Sequence, residues 1–392
     1  MMERADFTLS AGPNDVSPEV RAALGSPILY HYDPAFLARF RATEDKIARI
    51  YGTTTHEIIL MQGEAVLGLE AAARACVRPG MACLNLVSGV FGKGFGYWLS
   101  AIGAELHEIE VAYNEAIDPA EVDAYLTAHP EIELVSVVHS ETPSGTLNPI
   151  AELGPIARAH GAVTVVDVVS SFGGIEVLPE AWQLDLLVAG PQKCLGGPPG
   201  MSLMAVSPQA WALIDKNPAA PRGSFLSMLD WREQWHGAGK FPFTPSVSDL
   251  NGVEAAADRL LAEGLDAAIA RHDRVARACR AGVRAMGLQV WAARDEIASA
   301  CVTSITVPDG LTDIGVRDHV RSHYGVQFSA GQVAGNIIRI GHMGDTSKPM
   351  LPIVGLAALG RSLLDLGVQV DVGAGLEAAL ASLAADPVAG AA

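Results

Sequence analysis

Short runs of consecutive apolar residues recur between residues 57 and 206, and they constrain the fold more than any other feature of the chain. The runs cover residues 58–61, 82–87, 134–138, 163–166, 186–189 and 201–206. Continuous rather than alternating hydrophobicity is typical of strands that are buried on both faces of a sheet. Helical patterns separate these runs at 64–78, 94–103, 119–129 and 150–160. The sequence therefore predicts an α/β fold with a mostly parallel sheet and covering helices.

The rest of the chain predicts a second, smaller unit. A long helical pattern near 249–286 leads to apolar runs at 301–307 and 337–340, with helical patterns at 313–324, 352–366 and 373–384. A chain of 392 residues is too long for one small core. We expect a large α/β domain over residues 1–250 and a small C-terminal α+β domain over residues 251–392, which the N-terminal segment is free to join.

Composition and charge exclude several classes of function. The formal net charge of −17 opposes binding to nucleic acid and to anionic membranes. The five cysteines are scattered without metal-ligand spacing, which favours free thiols in a reducing cytosol and predicts no metal site. The first residues lack the apolar core of a signal peptide, and no apolar stretch of ~20 residues could span a bilayer. These patterns predict a cytoplasmic enzyme.

One aspartate and one lysine follow two of the apolar runs. Asp167 ends the run 163–166, and Lys193 lies in the Gly/Pro-rich segment 190–200 after the run 186–189. Taken singly, Asp167 could be a capping residue and Lys193 a solvated side chain. The carboxyl ends of parallel strands meet at one edge of a sheet, however, and ligands bind there. A desolvated lysine that reacts with an aldehyde, beside a carboxylate that pairs with a pyridine nitrogen, predicts pyridoxal chemistry.

Five ordered segments strengthen this interpretation. They are SAGP at 10–13, HSETPSG at 139–145, DVVSSFGG at 167–174, the stretch 192–200 with its Gln-Lys and Pro-Pro-Gly, and RIGHMG at 339–344. With these segments the chain resembles the class V aminotransferases of fold-type I over nearly its whole length. The resemblance implies an aminotransferase whose large domain holds a mostly parallel seven-stranded sheet.

The resemblance also implies roles for individual residues. Lys193 would form the Schiff base and act in catalysis with Asp167, and Arg339 would hold the substrate carboxylate, as its bidentate guanidinium suits. Phe91 would stack on the pyridine ring, and Thr142 would lie near the ring's 3-oxygen. The cofactor-binding set implied in this way is Glu64, Phe91, Thr142, Asp167, Val169, Gln192, Phe243 and Thr244. Two purely structural alternatives stay open, namely an ion pair for Arg339 and a core position for Phe91.

Two positions depart from the family pattern at the expected phosphate site. Most relatives have a Gly/Ser/Thr-rich turn after the first strand, whereas this chain has Glu64, whose carboxylate would occupy the helix N-terminus and repel a phosphate. In relatives a loop of the neighbouring subunit gives a tyrosine and a threonine to the phosphate, and here that loop is 241–248, with Phe241 at the tyrosine position. The departures predict pyridoxal or pyridoxamine bound without phosphate, in a homodimer or homotetramer. Alternatively, Glu64 only stabilises its helix.

The departures resemble a branch of the family that uses free pyridoxamine as a substrate in vitamin B6 degradation. This implies conversion of pyridoxamine and pyruvate to pyridoxal and L-alanine. Gln332 stands where that branch has a second arginine for the substrate carboxylate, so the preferred 2-keto acid stays open. The main alternative is an aminotransferase that depends on pyridoxal phosphate and uses alanine or serine with glyoxylate or pyruvate. A cysteine desulfurase is disfavoured because Cys279 and Cys301 lie in helix and strand patterns.

Overall fold

Strands and helices alternate through most of the chain, as a computed structural model describes it for residues 5–385. The strands are β1 (Phe7–Thr8), β2 (Glu57–Gln62), β3 (Ala82–Val87), β4 (Glu105–Glu110), β5 (Leu134–Val138), β6 (Ser140–Glu141), β7 (Thr146–Leu147), β8 (Val163–Asp167), β9 (Leu186–Ala189), β10 (Met201–Val206), β11 (Val302–Thr306), β12 (Val326–Gln327), β13 (Ser329–Ala330) and β14 (Ile337–Gly341).

The α-helices of the same residues are α1 (Pro18–Leu24), α2 (Pro34–Tyr51), α3 (Ala65–Cys76), α4 (Val90–Ile102), α5 (Pro119–Ala128), α6 (Ile150–Ala159), α7 (Pro208–Ile214), α8 (Met228–Asp230), α9 (Val247–Glu263), α10 (Leu265–Ala285), α11 (Asp313–Tyr324), α12 (Met350–Asp365) and α13 (Val372–Ala385). A π-helix covers Trp231–Gly237. None of these helices combines the length and the apolar character that crossing a membrane requires.

A seven-stranded sheet forms the centre of the molecule, in the order β2-β10-β9-β8-β5-β3-β4. Strand β10 is antiparallel to both of its neighbours, and the other neighbouring strands are parallel. The predicted mostly parallel sheet is thus confirmed. Strand β4 was not among the six predicted runs, because its sequence ELHEIE carries three glutamates. It pairs only with β3 at the edge of the sheet, where charged side chains remain in water.

The long helical pattern near 249–286 is two helices rather than one. Helix α9 ends and α10 begins at Gly264, whose φ of +90° is a conformation that glycine adopts at little cost. The single glycine therefore turns the chain between the two helices. The other predicted helices agree with the observed ones to within a few residues, and α4 begins four residues before its predicted start.

The buried apolar side chains form two large clusters, which divide along the chain within helix α10. The first contains the seven-stranded sheet and its helices, and extends to Ala268. The second runs from Val275 to Leu383 and also includes Leu9. The domain boundary near residue 250 stays a prediction, and residues 1–4 and 386–392 of the two predicted domains lie outside the described residues.

Candidate active site

The carboxyl ends of five strands meet at one edge of the central sheet, because those strands run in the same direction. Glu64 follows β2, Phe91 follows β3, Thr142 follows β5, Asp167 ends β8 and Lys193 follows β9. All five side chains line a cavity of about 400 Å³, together with Val169 and Gln192. This volume lies within the range of ~300–1,000 Å³ that is usual for small-molecule sites. The structure thus brings seven predicted site residues together.

Lys193 is buried and its amine is held by the N-terminal segment. Its Nζ donates to the backbone carbonyl of Ala11 at 2.7 Å and, more weakly, to the Thr142 hydroxyl at 3.4 Å. Burial and the nearby Arg339 guanidinium lower the pKa of Lys193 to about 8, although Asp167 opposes the shift. A substantial fraction of the amine is therefore neutral near pH 7.5, as nucleophilic attack on an aldehyde requires.

Asp167 is buried at the end of strand β8. Burial raises the pKa of its carboxyl to about 6, whereas a hydrogen bond from the Val169 N–H at 2.8 Å and the Lys193 charge lower it. The carboxyl is thus ionised at neutral pH. Its charge suits a protonated pyridine nitrogen, since a carboxylate favours the protonated form of such a ring.

Arg339 reaches the same site from β14. Its Nε donates to the carbonyl of Ala330 at 2.6 Å, and its Nη1 donates to the carbonyl of Thr142 at 2.9 Å. Burial lowers the pKa of Arg339 to about 10, so the guanidinium stays charged at neutral pH. Because two backbone carbonyls fix its plane and no acidic side chain neutralises it among the described residues, it can bind a carboxylate.

The carboxylate of Glu64 occupies the N-terminus of α3. Its Oε2 accepts a hydrogen bond from the Val66 N–H at 2.8 Å, and its Oε1 accepts one from the Gln192 amide at 2.6 Å. The side chain lines the cavity, and the residue is exposed to solvent. The helix N-terminus and the Gln192 amide are anion-binding groups, and here an internal carboxylate engages both.

Besides Arg339, which contacts Thr142 but does not line the cavity, three predicted site residues lie away from it. Gln332 is exposed, in a short 3₁₀ turn before β14. Thr244 is exposed, and Phe243 stacks on Phe225 with ring centroids 4.4 Å apart. The roles of all three residues stay predictions.

Phe241, at the position of the family tyrosine, packs within its own chain. Its ring is 5% exposed and stacks on Trp235 with centroids 4.3 Å apart, with Phe40 packed edge-on at 4.9 Å. The loop aromatic that is partly exposed is Phe243, two residues further on. The correspondence of Phe241 to the family tyrosine stays a prediction.

The sequence analysis missed three groups that surround the lysine. The Ala11 carbonyl binds the amine, and Gly12 leaves room for it, since a Cβ there would lie 2.3 Å from the Lys193 Cδ. The Ser170 hydroxyl lines the cavity and lies 2.6 Å from the Thr142 hydroxyl. All three belong to the quoted segments 10–13 and 167–174, so the motifs contained the signal. No group of three or more His, Cys, Asp and Glu side chains in residues 5–385 could hold a metal ion.

Comparison with known proteins gives consistent matches over the whole chain. Residues 20–342 match the family model described as aminotransferase class-V. The chain is 50% identical over 388 residues to pyridoxamine–pyruvate transaminase from Mesorhizobium japonicum, with 98% of both chains covered. It is 31% identical to L-aspartate–glyoxylate aminotransferase from Paracoccus denitrificans, over 94% of this chain and 93% of that one. The crystal structure of pyridoxamine-pyruvate aminotransferase from Mesorhizobium loti superposes with a TM-score of 0.96 at 49% identity, covering 98% of each chain.

The lowered pKa of Lys193 predicts an early rise in its reactivity with pH. Because only the neutral amine reacts, acylation of Lys193 by a small electrophile should rise with a midpoint near pH 8, whereas a solvated lysine rises near ~10.4. Competitive labelling of the ligand-free protein followed by mass spectrometry measures both in one sample. A midpoint for Lys193 near ~10.4 would contradict the desolvated amine.

Replacing Gly12 by alanine should displace the lysine. The added Cβ would overlap the Lys193 side chain, and a displacement of ~1 Å typically costs about a hundredfold in rate. The rate at which pyridoxal becomes attached to Lys193, trapped with borohydride, measures the effect. Gly80→Ala is the matched control, because Gly80 also has a positive φ of +76° but open space around it. An equal loss in both variants would mean that backbone strain, not the overlap, is the cause.

Proposed function

This chain belongs to the class-V aminotransferase family and is a transaminase, and from that premise we propose that it transfers the amino group of free pyridoxamine to pyruvate, giving pyridoxal and L-alanine. Membership in the family implies chemistry of the pyridoxal phosphate type. The observation that carries the finer proposal is the Glu64 carboxylate at the N-terminus of α3. The 50% identity with a pyridoxamine–pyruvate transaminase supports it.

Glu64 disfavours a phosphorylated ligand for an electrostatic reason. A phosphate at this position would compete with the carboxylate for the Val66 N–H and the Gln192 amide. Two unit charges ~4 Å apart repel by about 4 kcal/mol at an effective dielectric of ~20, and a phosphate carries nearly two charges. Such a penalty exceeds the gain from one helix N-terminus, which is at most ~2 kcal/mol. A neutral hydroxymethyl group, in contrast, can donate a hydrogen bond to a carboxylate.

The other cavity residues fit an unphosphorylated pyridine ring. Asp167 would bind the ring nitrogen, Thr142 the 3-oxygen, and Phe91 and Val169 would enclose the two faces. A bound pyridoxal group supplies an electron sink that allows a proton to leave the neighbouring carbon. Lys193, whose pKa of about 8 lets it accept and return a proton near neutral pH, would move that proton between the two amine-bearing carbons.

Arg339 would bind the carboxylate of the 2-keto acid. Its guanidinium is charged, buried and fixed by the carbonyls of Ala330 and Thr142. Gln332, as an uncharged residue, would assist only weakly, and its exposed position agrees with a minor role. The proposed amino acceptor is therefore a small 2-keto acid with one carboxylate, with pyruvate as the first candidate.

We also propose that the protein acts as a homodimer or homotetramer. Phe243 and Thr244 lie in a loop outside the cavity of their own chain, and the Phe243 ring stacks on Phe225. In such an assembly they would approach the Glu64 end of a neighbouring cavity. Phe243 has no hydroxyl to offer a phosphate, in agreement with an unphosphorylated ligand.

The decisive experiment compares the phosphorylated and the free amine. The purified protein is mixed with pyridoxamine or pyridoxamine phosphate plus pyruvate, glyoxylate or 2-oxobutyrate, and aldehyde formation is followed by absorbance. We expect kcat/KM for pyridoxamine to exceed that for its phosphate by about a thousandfold, the equivalent of ~4 kcal/mol. Faster turnover of the phosphate ester, or of alanine with glyoxylate in the presence of pyridoxal phosphate, would show an ordinary phosphate-dependent aminotransferase.

Replacing Glu64 by alanine should reduce this preference. Loss of a hydrogen bond to a charged group should lower kcat/KM for pyridoxamine about 10- to 100-fold, while removal of the repulsion should raise it for the phosphate ester. Glu70→Ala is the control, because it also removes a charge from this helix. The Glu70 carboxylate pairs with Arg74. A preference that stays unchanged in Glu64→Ala would mean that the carboxylate does not select the ligand.

Arg339→Lys should weaken binding of the keto acid without weakening binding of pyridoxamine. A lysine cannot reproduce the bidentate fork, so KM for pyruvate should rise at least about tenfold, while KM for pyridoxamine changes little. Arg317→Lys, a substitution in α11 near Arg339, is the control. Equal rises in both KM values would place Arg339 in the general structure of the site instead.

A further inference from the structure

Glu141 is a completely buried carboxylate beside the proposed vitamer site, and no step of the proposed function uses it. It lies in β6, directly before Thr142, and its side chain turns toward α4. Its Oε1 accepts a hydrogen bond from the Gly92 N–H at 2.7 Å, and its Oε2 accepts one from the Phe91 N–H at 3.2 Å. Among the described residues it forms no ion pair.

The carboxylate acts as the N-terminal cap of α4. This helix begins after Gly89, which offers no side chain to cap it. A helix N-terminus leaves N–H groups without partners and carries partial positive charge, so an anion there both bonds and neutralises it. Burial raises the pKa of Glu141 to about 7, so the carboxyl is partly protonated at neutral pH, and both forms keep acceptor oxygens for the two N–H groups. Gly89 also leaves the room that the cap needs, because a Cβ at that position would lie 2.5 Å from the Glu141 Cδ.

The residue that this cap holds is Phe91, which lines the cavity and is 36% exposed. A partly exposed aromatic side chain in the first turn of a helix has few contacts to fix its backbone. Glu141 binds that backbone directly at the Phe91 N–H. On its other side the Glu141 peptide continues into Thr142, whose carbonyl accepts from Arg339. The stacking side of the site is thereby joined to the carboxylate-binding side.

We propose that Glu141 is a positioning residue, which fixes the Phe91 ring against the bound pyridine ring by holding the first turn of α4. The proposal rests on the stacking role of Phe91 in the proposed function. It differs from a purely structural role in one measurable way. If Glu141 acts through Phe91, its contribution to ligand binding must disappear when the aromatic ring is absent.

A double-mutant cycle tests this coupling. Pyridoxal binding to wild type, Glu141→Gln, Phe91→Leu and the double variant is measured by absorbance titration, and kcat and KM for pyridoxamine are measured in parallel. Glutamine has nearly the same shape but offers one acceptor oxygen for two N–H groups. Phe91→Leu should raise Kd about 2- to 12-fold, the usual worth of aromatic stacking. Glu141→Gln should raise it by no more than that, and not at all in the Phe91→Leu background.

A second variant approaches the same contact from the other side. Gly89→Ala places a methyl group against the Glu141 carboxylate, and the φ of 178° at this position suits any residue. It should raise Kd in the same direction as Glu141→Gln and, like that variant, should have no effect in the Phe91→Leu background. The melting temperature of each ligand-free variant shows whether the fold is retained, so Gly89→Ala carries the test if Glu141→Gln does not fold.

The possible outcomes separate the inference from the function on which it rests. Equal effects of Glu141→Gln with and without the Phe91 ring, or no effect of either Glu141→Gln or Gly89→Ala, would overturn the positioning role. An unchanged Kd in Phe91→Leu alone would overturn the stacking role and the inference with it. If wild type instead prefers pyridoxamine phosphate, the proposed function fails, and the same cycle measured with pyridoxal phosphate still decides the role of Glu141.

Discussion

The N-terminus of α3 can hold one anion, and this chain fills it with its own carboxylate. This contact determines which ligands can gain energy at that end of the cavity. Glu64 engages both the Val66 N–H of the helix and the Gln192 amide, so a ligand gains little there from negative charge. The N-terminus of the neighbouring helix α4 also donates to a carboxylate of the same chain, that of Glu141. The basic groups near the cavity are Lys193, whose neutral amine suits a carbonyl carbon, and Arg339, whose charge suits a carboxylate.

The environment of the lysine is built from parts that are distant in sequence. Strand β1 pairs with β12, and Leu9 belongs to the second apolar cluster, so the segment that follows is anchored there before it reaches the sheet edge. The Ala11 carbonyl then accepts the lysine amine. Burial of that amine lowers its pKa to about 8, and the carbonyl keeps its orientation without supplying a full negative charge, which would raise the pKa again.

The sequence allowed the central strands and most of the cavity to be predicted, because both leave a local signature. Strands buried on both faces are continuous apolar runs, and side chains placed at their carboxyl ends share an edge. The edge strand β4 lacked that signature, and Gly264 divided a helical pattern that appeared continuous. The Ala11 carbonyl lies in a quoted segment, but its contact with the lysine could not be assigned, since a backbone group has no residue type. The burial of Phe241 could not be predicted either, because only tertiary packing distinguishes a buried aromatic residue from a partly exposed one two positions away.

A vitamer that serves as a substrate has to leave after each cycle, which limits how tightly the site should hold it. A phosphate anchored at a helix N-terminus would add several charge-assisted hydrogen bonds to the ground state and its products alike, and uniform binding of this kind slows release without accelerating the chemistry. In the proposed function, the Glu64 carboxylate replaces that anchor by an acceptor for one neutral group. Specificity then depends on contacts that need correct geometry, namely the Asp167 carboxylate and the Phe91 ring. A site that gives up affinity in this way depends more strongly on the positions of those two side chains. A hydrogen bond holds each of them: the Val169 N–H donates to the Asp167 carboxylate at the end of its strand, and the Phe91 N–H donates to Glu141 at the start of its helix.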